Sequence, residues 1–98
     1  MKSEYVPMEL VERAISNGFS IKAGQGTAFV ALEQLERWIW NEHRGLFPMI
    51  YKVPKVGLKE ESFISDTEAM IQFPDPFSAR LAGVERVIEE LERRKTND

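Results

Sequence analysis

The stretch DPFSARLAGVERVIEEL, residues 75–91, contains the most regular pattern in the chain and is the starting point for assigning a fold class. Asp75 and Pro76 are typical of a helix start, because an aspartate caps free N–H groups of the first turn and proline suits the first helical position. Large apolar residues then recur at spacings of four, three, four and three, as they do along one face of a helix: Phe77, Leu81, Val84, Ile88 and Leu91. The stretch predicts a long amphipathic helix, followed by a frayed tail at residues 95–98.

Two further helices are predicted upstream of this one. The first follows Pro7, carries one apolar face at helical spacing and ends at Gly18, because glycine readily takes the left-handed conformation that closes a helix. The second begins with Thr27 as its N-cap and ends near Arg44, just before Gly45. Its apolar residues fall within about 60° of one direction on a helical wheel: Ala28, Leu32, Leu35, Ile39 and Leu46.

The segment between the second and third helices changes to the alternating pattern of β strands. FPMIYKV (47–53) alternates with a period of two, and the prolines that bracket it favour an edge position in a sheet. ESFIS (61–65) and EAMIQF (68–73) flank Asp66-Thr67, a typical tight connection. We therefore predict a single α+β domain over residues 1–98, in the order α-α-β-β-β-α, with the helices packed on one face of a three-stranded antiparallel meander.

The composition argues against several classes of function. Thirteen Lys and Arg against sixteen Asp and Glu give a net charge of −3, so the molecule as a whole does not attract nucleic-acid phosphates. Without cysteine there is no disulfide or thiolate nucleophile, and one histidine cannot alone build a nitrogen-rich metal site. No stretch resembles a signal peptide or a membrane span. We expect a soluble cytoplasmic protein that requires no cofactor and does not enter a membrane.

Three short motifs occur in a characteristic order along the chain. They are Asn17-Gly18-Phe19, Trp38-Ile39 with His43-Arg44-Gly45, and Asp75-Pro76-Phe77 followed by Ala79, Ala82-Gly83-Val84 and Leu91. In this pattern the chain resembles small uncharacterised α+β proteins encoded by phages and mobile elements of gut-type bacteria. It departs from them by carrying Trp40 and by lacking the proline that often precedes their second helix. The resemblance implies a fold of helices and a β meander, and it transfers no catalytic residue.

Both tryptophans lie in the second predicted helix, on different faces. Trp38 borders the apolar face and is predicted to belong to the core. Trp40 lies about 160° from Trp38, beside Glu33, Glu36, Arg44 and, if the helix continued, Phe47. Three alternatives account for such an out-of-phase tryptophan: it is covered by the N-terminal segment or the Gly24–Ala28 connector, it contacts a protein partner or a second copy, or it stacks on a ligand.

His43 and Glu42 are the candidates for acid–base chemistry. His43 lies in the last helical turn, where an imidazolium is favoured by the helix dipole, so no catalytic role is needed to explain it. Glu42 points toward the apolar face, so either the helix has left the core by then or Glu42 pairs with Lys52 or Arg80. Adjacent side chains project about 100° apart on a helix, which keeps Glu42 and His43 from meeting. We predict that the chain is not an enzyme.

A basic patch is predicted in the first hairpin, where Lys52, Lys55 and Lys59 lie near Tyr51. Alternating lysine and aromatic side chains bind single-stranded nucleic acid by stacking and phosphate contacts. Lysines on an edge strand also serve to prevent strand-to-strand aggregation, and the acidic residues that follow the patch weaken its field.

These observations lead to one principal hypothesis and one alternative. The first is a small non-enzymatic interaction or accessory protein that binds a protein partner, or a second copy of itself, through a surface including Trp40, Glu36 and Arg44. The alternative is a weak single-stranded nucleic-acid binder that uses the basic patch of the hairpin.

Overall fold

A computed structural model describes residues 5–53, 62–68 and 71–96 of the chain. Three α helices and one two-stranded antiparallel sheet make up this part: α1 (Met8–Ser16), α2 (Leu32–Glu42), β1 (Ile50–Val53), β2 (Ser62–Ser65) and α3 (Pro76–Thr96). Three short 3-10 turns lie at Thr27–Phe29, Arg44–Leu46 and Asp66–Glu68. The chain is α+β and forms one compact domain, but the predicted three-stranded meander is wrong, and the order α-α-β-β-β-α is wrong with it.

The third strand fails because the chain turns away from the sheet directly after β2. Asp66–Glu68 forms a 3-10 turn, in which the hydroxyls of Ser65 and Thr67 are 2.7 Å apart. When the chain returns, Phe73 is the one residue of the described part that pairs with β2, and it exchanges two backbone hydrogen bonds of 2.8 Å with Phe63. Pro74 follows and has no N–H with which to extend the pairing. The predicted strand at 68–73 is therefore a single bridge, and its residues 69 and 70 lie outside the described part.

The second helix begins later than predicted. Thr27 is the first residue of a 3-10 turn rather than an N-cap. Val30 follows in an extended conformation, completely buried, and its carbonyl accepts a 2.9 Å hydrogen bond from the N–H of Val6. Only then does α2 start at Leu32, with the side-chain oxygen of Gln34 accepting the N–H of the residue before the helix at 3.0 Å. Burial of Val30 against the N-terminal segment thus outweighs the helical pattern around it.

The other two helices follow the sequence prediction closely. α1 starts directly after Pro7, and Gly18 adopts a φ of 108° that turns Phe19 back onto the helix, where its N–H donates to a carbonyl of the last turn. α3 is capped by Asp75, whose carboxylate accepts the backbone N–H of Ser78 at 2.8 Å. α3 continues through Thr96, and residues 97 and 98 lie outside the described part. No helix among the described residues is long and apolar enough to cross a membrane.

The core lies where the three helices meet, and α3 also packs against the sheet. Its larger side chains with no exposed surface are these: Val11, Val30, Leu35, Ile39, Val84 and Ile88. At Gly83 the helix approaches the sheet layer very closely. A Cβ atom built there would lie 2.8 Å from Cβ of Pro48 and 2.9 Å from Oγ of Ser65. The position therefore requires glycine for steric reasons, despite the cost of glycine inside a helix.

Candidate protein-interaction surface

The two tryptophans of α2 lie in different environments, as their positions on the helical wheel predicted. Trp38 is 7% exposed and packs edge-on against Phe19 and His43, so its predicted place in the core is confirmed. Trp40 is 47% exposed. The core side of the helix is already occupied by Leu35 and Ile39, both completely buried, which leaves Trp40 on the solvent side.

The chain after α2 folds back toward Trp40. The helix ends at Glu42, and a 3-10 turn over Arg44–Leu46 follows, in which the N–H of Phe47 donates to the carbonyl of Arg44 at 3.1 Å. Leu46 packs against the core, while the ring of Phe47 meets the ring of Trp40 edge-on, with centroids 5.2 Å apart. The sequence predicted this contact only for a continuous helix. The turn brings Phe47 to the same place by another route.

Arg44 completes a cluster around the exposed indole. Its guanidinium carbon lies 4.5 Å from the centre of the Trp40 ring, and its Nε donates a 3.2 Å hydrogen bond to the Trp40 carbonyl. A cation over an exposed aromatic face contributes about 0.5–1 kcal/mol, and an edge-to-face aromatic pair contributes about 0.5–1.5 kcal/mol. Trp40, Arg44 and Phe47, called here the Trp40 cluster, therefore form a partly ordered surface before any partner is bound.

The Trp40 cluster bears on the three alternatives raised by the sequence. An indole with 47% of its surface exposed is not covered by the Gly24–Ala28 connector, which instead is tied to the start of α2. Two amide hydrogen bonds, of 2.8 and 3.0 Å, join the side chain of Gln25 in the connector to that of Gln34 in α2. Residues 1–4 of the N-terminal segment lie outside the described part, and contact with a protein and stacking on a ligand stay predictions for Trp40.

Glu36, the third residue of the predicted surface, has a different role. It accepts two hydrogen bonds from the guanidinium of Arg80, one of them 3.0 Å from Nε to Oε2. The two side chains are 18% and 30% exposed and join α2 to α3. Glu36 therefore contributes to the packing of the helices, while Trp40 and Arg44 are brought together on the outer surface.

The acid–base candidates are not assembled into a pair. Glu42 is exposed, and no hydrogen bond or ion pair joins it to any other side chain of the described residues. Of the two explanations for its position, the helix leaving the core is the one that the structure supports, since Glu42 is exposed and forms no ion pair with Lys52 or Arg80. The ring of His43 is partly buried, with its centroid 5.3 Å from that of Trp38.

The predicted basic patch is only partly described. Tyr51 and Lys52 are neighbours on β1, opposite Ile64 and Phe63 of β2 respectively, so their side chains project to opposite faces of the sheet. Lys55 and Lys59 lie outside the described residues. The two described members do not share one face, and the nucleic-acid hypothesis remains a prediction.

One concave surface elsewhere in the described part is lined by charges that are already paired. A groove of about 390 Å³ runs between Leu46, Thr67 and α3. The charged residues that line it on α3 are bound to one another along the helix, as Arg86 with Glu89 and Arg93 with Glu90. Among the described residues, no three His, Asp or Glu side chains are grouped so as to hold a metal ion.

Comparisons with models of protein families, with curated proteins and with solved structures found no match for this chain.

Proposed function

We propose that this protein is a small non-enzymatic interaction protein that binds a protein through the Trp40 cluster. The observation that carries the proposal is a half-exposed tryptophan held between an arginine and a second aromatic ring on the outer side of α2. Tryptophan and arginine are the residues most enriched among those that dominate binding energy at protein interfaces. Because Arg44 and Phe47 already restrict the indole, little side-chain freedom is lost when a partner binds.

The biological setting of this binding is inferred from the sequence. We infer that the protein is an accessory product of a phage or mobile element, on the basis of the motif resemblance described from the sequence. We also infer a cytoplasmic site of action, since a chain free of cysteine makes no use of an oxidising compartment.

The test compares two exposed aromatic residues in different parts of the molecule. Trp40→Ala removes the centre of the cluster, while Phe29→Ala removes a ring that is 60% exposed and pairs only with Tyr5 in the aromatic contacts of the described residues. Both variants and the wild type are compared by sedimentation and by the proteins that they retain from their source cells. We expect Trp40→Ala to lose an association that Phe29→Ala keeps. Identical behaviour of all three proteins would show that the Trp40 cluster is not a binding surface.

A further inference from the structure

The arginines of this protein fall into two groups according to their partners. Five of the seven form ion pairs with glutamates: Arg13, Arg80, Arg86, Arg93 and Arg94. Within the described residues, the other two, Arg37 and Arg44, form no ion pair. Both are exposed and lie on either side of Trp40 along the chain. Glu33, one turn before Arg37, is exposed and has no ion pair either.

These side chains form one line on the outer side of α2. Glu33, Arg37, Trp40 and Arg44 follow one another at spacings of four, three and four, which places them within about 60° of one direction on a helical wheel. That direction is opposite to the one in which Leu35 is buried. Arg44 lies just beyond the helix, but the stacking of its guanidinium on Trp40 keeps it on the same side. We call these four residues the α2 outer stripe.

The α2 outer stripe is complementary to a copy of itself that runs in the opposite direction. When two stripes face each other about a twofold axis between positions 37 and 40, Glu33 of one copy meets Arg44 of the other. Arg37 then meets Trp40, whose ring is held edge-on by Phe47. The twofold axis generates each contact twice, so the dimer has two ion pairs between Glu33 and Arg44 and two cation–aromatic contacts between Arg37 and Trp40.

We propose that a second copy of this chain is the partner, and that two copies associate through antiparallel α2 outer stripes. The proposal rests on the function proposed above and names the occupant of the same surface. In this dimer Glu33 and Arg44 each gain a partner of opposite charge, and Arg37 gains an aromatic partner. None of the three forms an ion pair within the described part of one chain. An eleven-residue helix is only about 16 Å long, so the interface is at the small end of specific contacts and the dimer is weak.

Charge exchange tests the pairing of Glu33 with Arg44. Sedimentation equilibrium of the full chain from about 10 μM to about 1 mM covers the range expected for a weak dimer. Glu33→Arg and Arg44→Glu each create like-charge contacts, and we expect each to raise the dimer dissociation constant by roughly tenfold or more. The double variant restores opposite charges, and we expect it to return to within about threefold of the wild type.

Glu9→Arg is the matched control for Glu33→Arg. Glu9 is likewise an exposed acid in the first turn of its helix, so both substitutions change the net charge and the helix dipole contact in the same way. We expect Glu9→Arg to leave the dissociation constant unchanged. Circular dichroism of every variant verifies that α2 is still formed.

The absence of cysteine from the natural chain allows a second test, of orientation. Under mild oxidation of an equal mixture of a Glu33→Cys chain and an Arg44→Cys chain, we expect the mixed disulfide well above the half of all products that random pairing would give. The random ratio, in which the mixed disulfide is only twice as abundant as each symmetrical one, would contradict the antiparallel arrangement, and so would any smaller share of it.

Two results would overturn the proposal. One is a monomer at every concentration, and the other is a dimer that Glu33→Arg does not weaken or that the double variant does not restore. If the protein is monomeric and Trp40→Ala still loses a different bound protein, the Trp40 cluster remains a binding surface and only the identity of its partner is wrong. If Trp40→Ala loses nothing, both proposals fail.

Discussion

The substitution Gly83→Ala tests how closely α3 lies on the sheet layer. The added methyl carbon would lie 2.8 Å from Cβ of Pro48, 3.0 Å from its Cγ and 2.9 Å from Oγ of Ser65. Carbon atoms in contact are about 3.5–4.0 Å apart, so the helix and the layer beneath it must separate by roughly 0.7 Å or more. The proline ring cannot rotate away, and Ser65 is completely buried, so neither neighbour has an easy alternative position.

Two effects of opposite sign determine how much Gly83→Ala changes the free energy of unfolding. Alanine is favoured over glycine inside a helix by about 1 kcal/mol, which would stabilise the variant. Forcing a methyl group into a well-packed site costs about 1–3 kcal/mol, and the rigid neighbours place this site at the upper end of that range. We expect a net loss of about 1–2 kcal/mol in the free energy of unfolding. For a domain of this size, each kcal/mol lowers the melting temperature by about 4–8 °C.

Urea denaturation and thermal melts followed by circular dichroism measure the change. Gly45→Ala is the control, because the added methyl group would have no neighbouring atom within 4 Å, and we expect it to change stability by less than about 0.5 kcal/mol. Pro48→Gly removes the clashing ring atoms, so Gly83→Ala should cost less in that background than in the wild type. A Gly83→Ala variant as stable as the wild type would mean that helix propensity outweighs packing here, and the close approach would be refuted.

Two further predictions concern the ends and the joining of the helices. Asp75→Ala removes the acceptor of two hydrogen bonds from Ser78, of 2.8 and 3.0 Å. We expect it to lower the free energy of unfolding, measured by urea denaturation, by about 0.5–2 kcal/mol. Equal stability of the variant would show that α3 needs no cap. The hydrogen bonds from Arg13 hold the pKa of Glu92 below its usual range. Their contribution to the free energy of unfolding is therefore present above the unfolded pKa of about 4.3 and is lost as the pH falls through the lower folded pKa. Both side chains are more than a third exposed, so we expect Arg13→Gln to lower the free energy of unfolding by only about 0.2–1 kcal/mol at pH 7. This loss should shrink in acid. A loss that grows in acid would contradict the attribution of the pKa shift to Arg13.

The elements that the sequence predicted well are those determined by local contacts. The start of α3 depends on Asp75 and on the backbone three residues away, and the end of α1 depends on the φ of Gly18. Thr27 and the segment at 68–73 were predicted wrongly because distant contacts decide them. A hydrogen bond from Val6 holds Val30 in an extended conformation, and a 3-10 turn leaves Phe73 with one bridge to β2. Neither contact leaves a periodic signal in the sequence.

Prediction of the candidate site from the sequence was limited in the same way, because contacts between distant residues leave no periodic signal. Helical periodicity alone separated Trp38 from Trp40, because residues on one helix have fixed relative directions. It could not assign Glu36, since the ion pair with Arg80 joins residues 44 positions apart in the chain. It placed Phe47 beside Trp40 only if the helix continued, whereas α2 ends at Glu42 and the 3-10 turn over Arg44–Leu46 brings Phe47 to Trp40.

The Trp40 cluster, the proposed binding surface, lies apart from the residues that hold α2 in the core. Leu35 and Ile39 fix α2 from the core side, and both are completely buried. Removing either would cost about 2–5 kcal/mol, enough to endanger a domain of ordinary stability. Trp40 faces away from them with 47% of its surface in solvent, so a smaller side chain opens no internal cavity. The stripe on the outer side of α2 can therefore be changed residue by residue, and a loss of association can be attributed to the surface itself.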